Sequence, residues 1–168
     1  MKNGKVPQNS IAIYGASVAV SLVLSYVESI IPINMGIPGA KIGLPNIVTI
    51  FLLYTAGARG ALAVSVMRIL LSGFMFGNMF SIVYSLSGLL LSFAGMVLLR
   101  QTGRFSTMGV SIAGGILHNM GQLICAVLVA GPYVAVYLPA LLLAGCLAGT
   151  AVGLLGAETV KRVGRYLR

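Results

Sequence analysis

Six apolar stretches, each of membrane-helix length or close to it, fill most of the chain and leave only short breaks at Gly, Pro and basic residues. A spanning helix needs about 20 mostly apolar residues, and cutting at the breaks gives 10–31, 44–58, 60–76, 79–99, 109–130 and 138–157. Soluble domains are about a quarter charged; here 8% of the 168 residues are charged, and mean hydropathy is +1.02. The expected fold is an all-α, multi-pass membrane protein of about six transmembrane helices. It forms a single transmembrane domain over 1–168, with short basic cytoplasmic tails at 1–9 and 158–168. The second and third stretches are the shortest, separated only by Ala58, Arg59 and Gly60. Two spans and a re-entrant pair both fit them.

Eleven Lys or Arg stand against two acids, Glu28 and Glu158, and there is no Asp. Clustered-aspartate magnesium sites, two-metal phosphoryl transfer and most carboxylate-dyad hydrolysis are therefore excluded. His118 is the only histidine and lies far along the chain from either Glu, which falls short of a metal's first shell. Cys125 and Cys146 sit inside apolar runs without partner spacing and read as small packing residues. No nucleophile has a recognisable base beside it, so no catalytic residue and no cofactor are assigned.

The net charge of +9 does not come from an aromatic-interleaved basic patch, so nucleic acid is not an expected partner. The cations punctuate the apolar runs, as membrane topology requires. Six spans put Lys2, Lys5, Arg59, Arg100, Arg104, Lys161, Arg162, Arg165 and Arg168 on one side and Lys41 alone in a loop on the other. Cytoplasmic loops carry the Lys and Arg excess, so both termini are expected in the cytoplasm. Lys2 and Lys5 ahead of the first run imitate a signal peptide, but no A-x-A cleavage site follows and a retained first helix is expected. The basic end Lys161 to Arg168 is read as a topology determinant and anionic-lipid contact, with partner docking as the other reading.

One cation falls inside a span. Arg68 is in the third, and an intramembrane charge is expensive enough to mark a functional site. In the fourth span Asn78, Ser81, Ser85, Gly88, Ser92 and Gly95 recur every three or four residues, leaving Leu89, Leu90, Phe93 and Val97 elsewhere. Ser111, Gly114, His118, Gln122 and Cys125 repeat the pattern in the fifth span, and Gly145, Gly149 and Gly153 in the sixth. Such stripes should face other helices. The glycines of the sixth serve an internal contact or a partner helix equally well.

Placed by depth on the expected topology, the polar residues converge between the membrane middle and the outer face. Glu28 lies near the outer end of the first helix, Arg68 in the outer half of the third, and Lys41, Asn46 and Asn78 at the outer boundary. His118, Asn119 and Gln122 lie near the middle of the fifth. A pocket opening outward would hydrate or pair these groups. Glu28 and Arg68 either form a structural ion pair or meet a ligand. The segment Pro32 to Lys41 lacks the spacing of a phosphate loop; it is a connector or a cap over the pocket, and Pro45 is placed to start the second helix.

Lys41-Ile-Gly-Leu-Pro-Asn-Ile-Val-Thr49, Arg68 with Gly73-Phe-Met-Phe-Gly77, Ser85-Leu-Ser-Gly88, and Gly109-Val-Ser-Ile-Ala-Gly-Gly-Ile-Leu-His-Asn-Met-Gly-Gln122 resemble the bacterial Gx transporter family, also labelled heptaprenyl diphosphate synthase component I. The resemblance covers roughly 10–157. That family is similar to the S components of energy-coupling factor (ECF) transporters, which implies a six-helix bundle with an outward-facing pocket and a small-molecule substrate. S components borrow ATP hydrolysis from an energy-coupling transmembrane protein and ATPases, often through small residues of the first helix. Ala12 and Ala16 are the matching positions here, though ordinary helix packing also explains them.

The leading expectation is a substrate-binding subunit of an ECF-type transporter in the bacterial cell membrane, with Lys41, Asn46, Arg68, Asn78, His118, Asn119 and Gln122 at the pocket. The alternative is an accessory membrane subunit of heptaprenyl diphosphate synthase or of an isoprenoid or quinone redox system. A packing subunit without a pocket is the third reading.

Overall fold

A computed structural model describes residues 10–30 and 43–164. Among these the chain forms six α-helices and no strand: α1 (Ser10–Ile30), α2 (Asn46–Thr55), α3 (Ala58–Phe76), α4 (Met79–Gln101), α5 (Thr107–Ala130) and α6 (Leu138–Val163), with a 3₁₀ turn at Pro132–Tyr137 before α6. Five are long and apolar enough to cross a membrane. Their outer faces carry apolar side chains, with Leu128 81%, Phe74 72% and Leu147 71% exposed. Apolar exposure on this scale, all around a bundle, is the surface of a protein solvated by lipid.

The second helix departs from its expected span of 44–58. It has ten residues, which at 1.5 Å per residue is about 15 Å, half the hydrocarbon thickness of about 30 Å. Both ends have local causes. Gly43 takes a positive φ of 79°, and Pro45, which has no N–H to lose, caps the first turn. At the other end Gly57, φ 89°, receives the chain after its N–H bonds back to Leu52 O, and α3 starts one residue later. The short helix is the most enclosed element: Ile50, Leu52 and Leu53 are at most 1% exposed.

Two further boundaries move. Arg59 lies in the first turn of α3 rather than in a loop. The sixth helix does not give way to a tail at 158 but continues to Val163, because Ala157 to Val163 has no helix breaker and Glu158 pairs with Arg162 one turn on. Residues 1–9 and 165–168, the outer parts of the expected tails, lie outside the described residues.

Contacts between neighbours fix the directions. A Cβ on Gly60 would touch Tyr14, and the rings of Tyr26 and Phe76 meet at 5.9 Å, so α1 and α3 run parallel. The tight turn Gly77–Asn78 reverses the chain; Asn78 Oδ1 accepts from Ser81 N–H at 2.8 Å, and Ser81 Oγ accepts from Asn78 N–H at 2.9 Å. Ser106 caps α5 in the same way, accepting from Gly109 N–H at 3.1 Å. Gly164, just past α6, packs against Thr55, so the end of α6 lies beside the α2–α3 turn.

The row Gly145, Gly149 and Gly153 packs inside the molecule. A Cβ on Gly149 would lie 2.7 Å from the Ile112 Cα, and one on Gly145 would lie 2.7 Å from the Gly115 carbonyl oxygen. No side chain can be added where backbones approach this closely, so the internal reading of this glycine row holds. In α4, Gly95 receives Leu117 and Gly88 receives His118 and Gln122, so the expected stripe does face α5. Leu89 and Phe93, placed off that stripe, are nevertheless buried at 2% and 8%, while Leu90 faces outward. The bundle surrounds α4 on more than one side.

Candidate functional site

All six helices contribute to one cavity of about 250 Å³. It runs from the exposed residues Ser29, Phe76, Gly77 and Asn78 at one end to buried Met96, Ser111 and Val152. Its mouth is at the end of the bundle opposite Arg59, Arg100, Arg104, Lys161 and Arg162, which lie on the α2–α3, α4–α5 and α6 termini.

The third helix supplies the central cation. Arg68 is the eleventh of nineteen residues in α3, just past mid-helix on the side of Phe76 and the mouth. The side chain is partly buried and lines the cavity. A charge there opposes insertion by about 3 kcal/mol on translocon scales, so the fold retains it against its own stability. Among the described residues Arg68 makes no hydrogen bond, and the one ion pair within 4 Å is Glu158–Arg162 on the far end of α6. Glu28, at the mouth end of α1, acts on Arg68 through space without touching it. The two acidic and basic residues thus share one cavity but not a salt-bridge contact.

Glu28 is held elsewhere. Its Oε1 accepts the N–H of Gly43, tying the end of α1 to the start of α2. The second helix is fixed on its other side by a buried hydrogen bond of 2.9 Å between Thr49 Oγ1 and Ser65 Oγ of α3. Since α2 and α3 are antiparallel, three residues back from Thr49 and three on from Ser65 brings Asn46 level with Arg68. Asn46 therefore lies within the bundle rather than at the outer boundary, a consequence of the short helix.

The fifth helix supplies further polar groups. His118 and Gln122 lie over Gly88 of α4: a Cβ there would come within 2.8 Å of His118 Cε1 and 2.9 Å of Gln122 Cγ. Gln122 is 3% exposed, lines the cavity, and has no side-chain hydrogen bond among the described residues. An amide that faces a cavity without a protein partner is normally compensated by water or ligand. Asn119 has a different position. Its Nδ2 donates to Leu141 O at 2.8 Å, joining α5 to α6, and its carbonyl oxygen is what remains for the cavity. Asn78 sits at the mouth and is already engaged as the cap of α4.

Of the expected site residues, Asn46, Arg68, Asn78, His118, Asn119 and Gln122 all line this one cavity, together with Glu28. Lys41 lies outside the described residues. Several hydroxyl residues were not anticipated: Ser25, Thr49 and Ser72 also line it. Their signal was present in part, since Ser17, Ser21, Ser25 and Ser29 recur every fourth residue on α1. Ser25, Ser72 and Ser92 donate to carbonyls three or four residues back in their own helices, which leaves oxygen lone pairs facing the cavity. No group of three His, Cys, Asp or Glu able to hold a metal exists among the described residues.

A helical bundle solvated by lipid on its outside, with a polar cavity enclosed by all its helices, defines a polytopic membrane protein built around an internal site. The chain belongs to the family described as heptaprenyl diphosphate synthase component I, which matches residues 17–159. Neither a curated protein nor a solved structure matches it.

Proposed function

We propose that the protein binds a small solute bearing an anionic or carbonyl group in this cavity, as the S-component-like subunit of an ECF-type transporter. The observation that carries the reading is Arg68, an arginine at mid-helix without a contact partner among the described residues, in one cavity with Gln122, His118 and Asn46. Such a group is retained against its insertion cost only where it meets water or a ligand. The guanidinium matches a carboxylate or carbonyl in planar geometry, and the amide and imidazole donate and accept around it.

Orientation follows from charge. The end carrying Arg59, Arg100, Arg104, Lys161 and Arg162 faces the cytoplasm by the positive-inside rule, and the mouth beside Asn78 opens outward, in the bacterial cell membrane. Ala12 and Ala16 are exposed on α1, in a small-residue strip where the energy-coupling protein and its ATPases would dock. The protein then needs no catalytic group, metal or cofactor of its own.

The family description favours a second reading, an accessory membrane subunit of heptaprenyl diphosphate synthase in which Arg68 holds a diphosphate. One experiment separates them: affinity capture from native membranes, with mass spectrometry of bound proteins and extracted small molecules. Recovery of a coupling protein with ATPases supports the transporter, and recovery of a soluble prenyl synthase without ATPases supports the accessory subunit. Solute binding itself fails if Arg68→Ala and His118→Ala variants fold normally and bind the captured ligand unchanged.

A further inference from the structure

We propose that the solute is zwitterionic, a compact molecule whose anionic group meets Arg68 and whose cationic group meets Glu28. The inference rests on the cavity being a solute site and names the class of solute.

Among the described residues the cavity is lined by one charge of each sign, and the two do not neutralise one another by contact. Glu28 is held by the bond from Gly43 N–H to its Oε1, which leaves Oε2 without a partner among the described residues and restrains the carboxylate from swinging to the guanidinium. Arg68 keeps all five donors without a hydrogen-bond partner among the described residues. Charged groups that line an open cavity without a protein partner are hydrated.

A ligand that displaces that water must replace the hydration of both charges, because a buried charge left alone is strongly unfavourable. A simple anion pairs with Arg68 and strips Glu28, which also repels it. A simple cation does the reverse, and a diphosphate brings several negative charges beside a carboxylate that faces only one described cation. A zwitterion satisfies both groups and disfavours each singly charged competitor, which is specificity by mismatch as well as by match. The remaining contacts suit a small body. Gln122, Asn46 and Ser85 have no side-chain hydrogen bond among the described residues, and Leu89, Met96 and Val152 line the buried part. At about 250 Å³ the cavity is below the range of about 300–1,000 Å³ for drug-sized ligands, which points to a molecule of amino-acid size.

The test uses the full chain in lipid nanodiscs. Thermal shift and calorimetry are run with the proteinogenic α-amino acids, γ-aminobutyrate and glycine betaine as probes. Each amino-acid hit is then compared with its N-acetyl form, which keeps only the anion, and its amide form, which keeps only the cation. The expected result is binding of at least one zwitterion, with each blocked form weaker by about tenfold or more. Glu28→Gln, which keeps an acceptor for Gly43, should erase discrimination against the N-acetyl form, and Arg68→Gln discrimination against the amide. Equal or tighter binding of the N-acetyl form overturns the zwitterion while leaving a solute site intact. Tighter binding of isopentenyl diphosphate than of every zwitterion overturns it in favour of the accessory-subunit reading. If no zwitterion binds, the assignment falls; a fractionated cell extract that still shifts the melting temperature preserves the solute site, and one that does not removes both.

Discussion

Where α5 meets α6, backbone lies against backbone; where α1 and α3 meet α2, the described polar contacts are a hydroxyl pair and one carboxylate on one amide. The first contact is made by Gly145, Gly149 and Gly153 against Met108, Ile112 and Gly115, and it leaves no room for a side chain to move. The second surrounds a helix of half the membrane thickness and holds Glu28 and Arg68, the two charged residues that line the cavity among the described residues. The glycine-packed half offers the polar side chains of His118, Asn119 and Gln122, and the other half holds Glu28 and Arg68. A wall of imidazole and amide groups on glycine-packed helices, across from a charged wall, is an arrangement in which orientation and electrostatic attraction come from different elements.

The contrast can be broken first on its rigid side. Gly149→Leu places a branched side chain where even a Cβ would lie 2.7 Å from Ile112 Cα and 2.8 Å from Ser111 O, so α5 and α6 must separate. Overpacking of ordinary cores costs about 1–3 kcal/mol, and a backbone obstacle cannot relax as a side chain can. The expected outcome is loss of the folded monodisperse protein by size-exclusion chromatography, the largest effect of the series.

The charged side should respond in the opposite direction. Arg68→Met removes the mid-membrane cation and keeps an unbranched apolar side chain of comparable reach, so the empty protein should become more heat-stable while solute binding is lost. Melting curves with and without the ligand recovered by capture check both parts. A variant that is destabilised when empty would mean that Arg68 serves the fold, and the contrast between a structural half and a functional half would fail.

The smallest effect concerns the positioning of α2. Thr49→Val and Ser65→Ala remove the two ends of the 2.9 Å hydroxyl bond. Hydrogen bonds between membrane helices average about 0.6 kcal/mol in double-mutant cycles, so the coupling energy from reversible unfolding should be of that order. A coupling well above it would show that the short helix is held chiefly by this bond rather than by burial of Ile50, Leu52 and Leu53.

The polar stripes of α4 and α5 were legible because residues three and four apart share a helix face whatever surrounds it. Ser81, Ser85, Ser92, Ser111, His118 and Gln122 accordingly reached the cavity from spacing alone. The extent of α2 was not legible. Its apolar run continues past Thr55 as composition, and only the positive φ of Gly43 and Gly57 ends the helix early. From that single difference came the misplacement of Asn46 at the outer boundary. The extension of α6 was missed because Glu158, Lys161 and Arg162 look like a solvated tail, although charged residues are good helix formers.

By itself the sequence determined the membrane as solvent, the number of helical segments, the faces they turn to one another and the absence of clustered acids, since each depends only on residue type and local period. Tertiary structure decided what depends on distance between segments. It put the glycine row of α6 against α5, brought Asn46 level with Arg68, and held Glu28 on Gly43 and out of contact with the arginine. Whether two opposite charges cancel or remain for a ligand is a matter of a few ångströms, because attraction and desolvation both change steeply over that range.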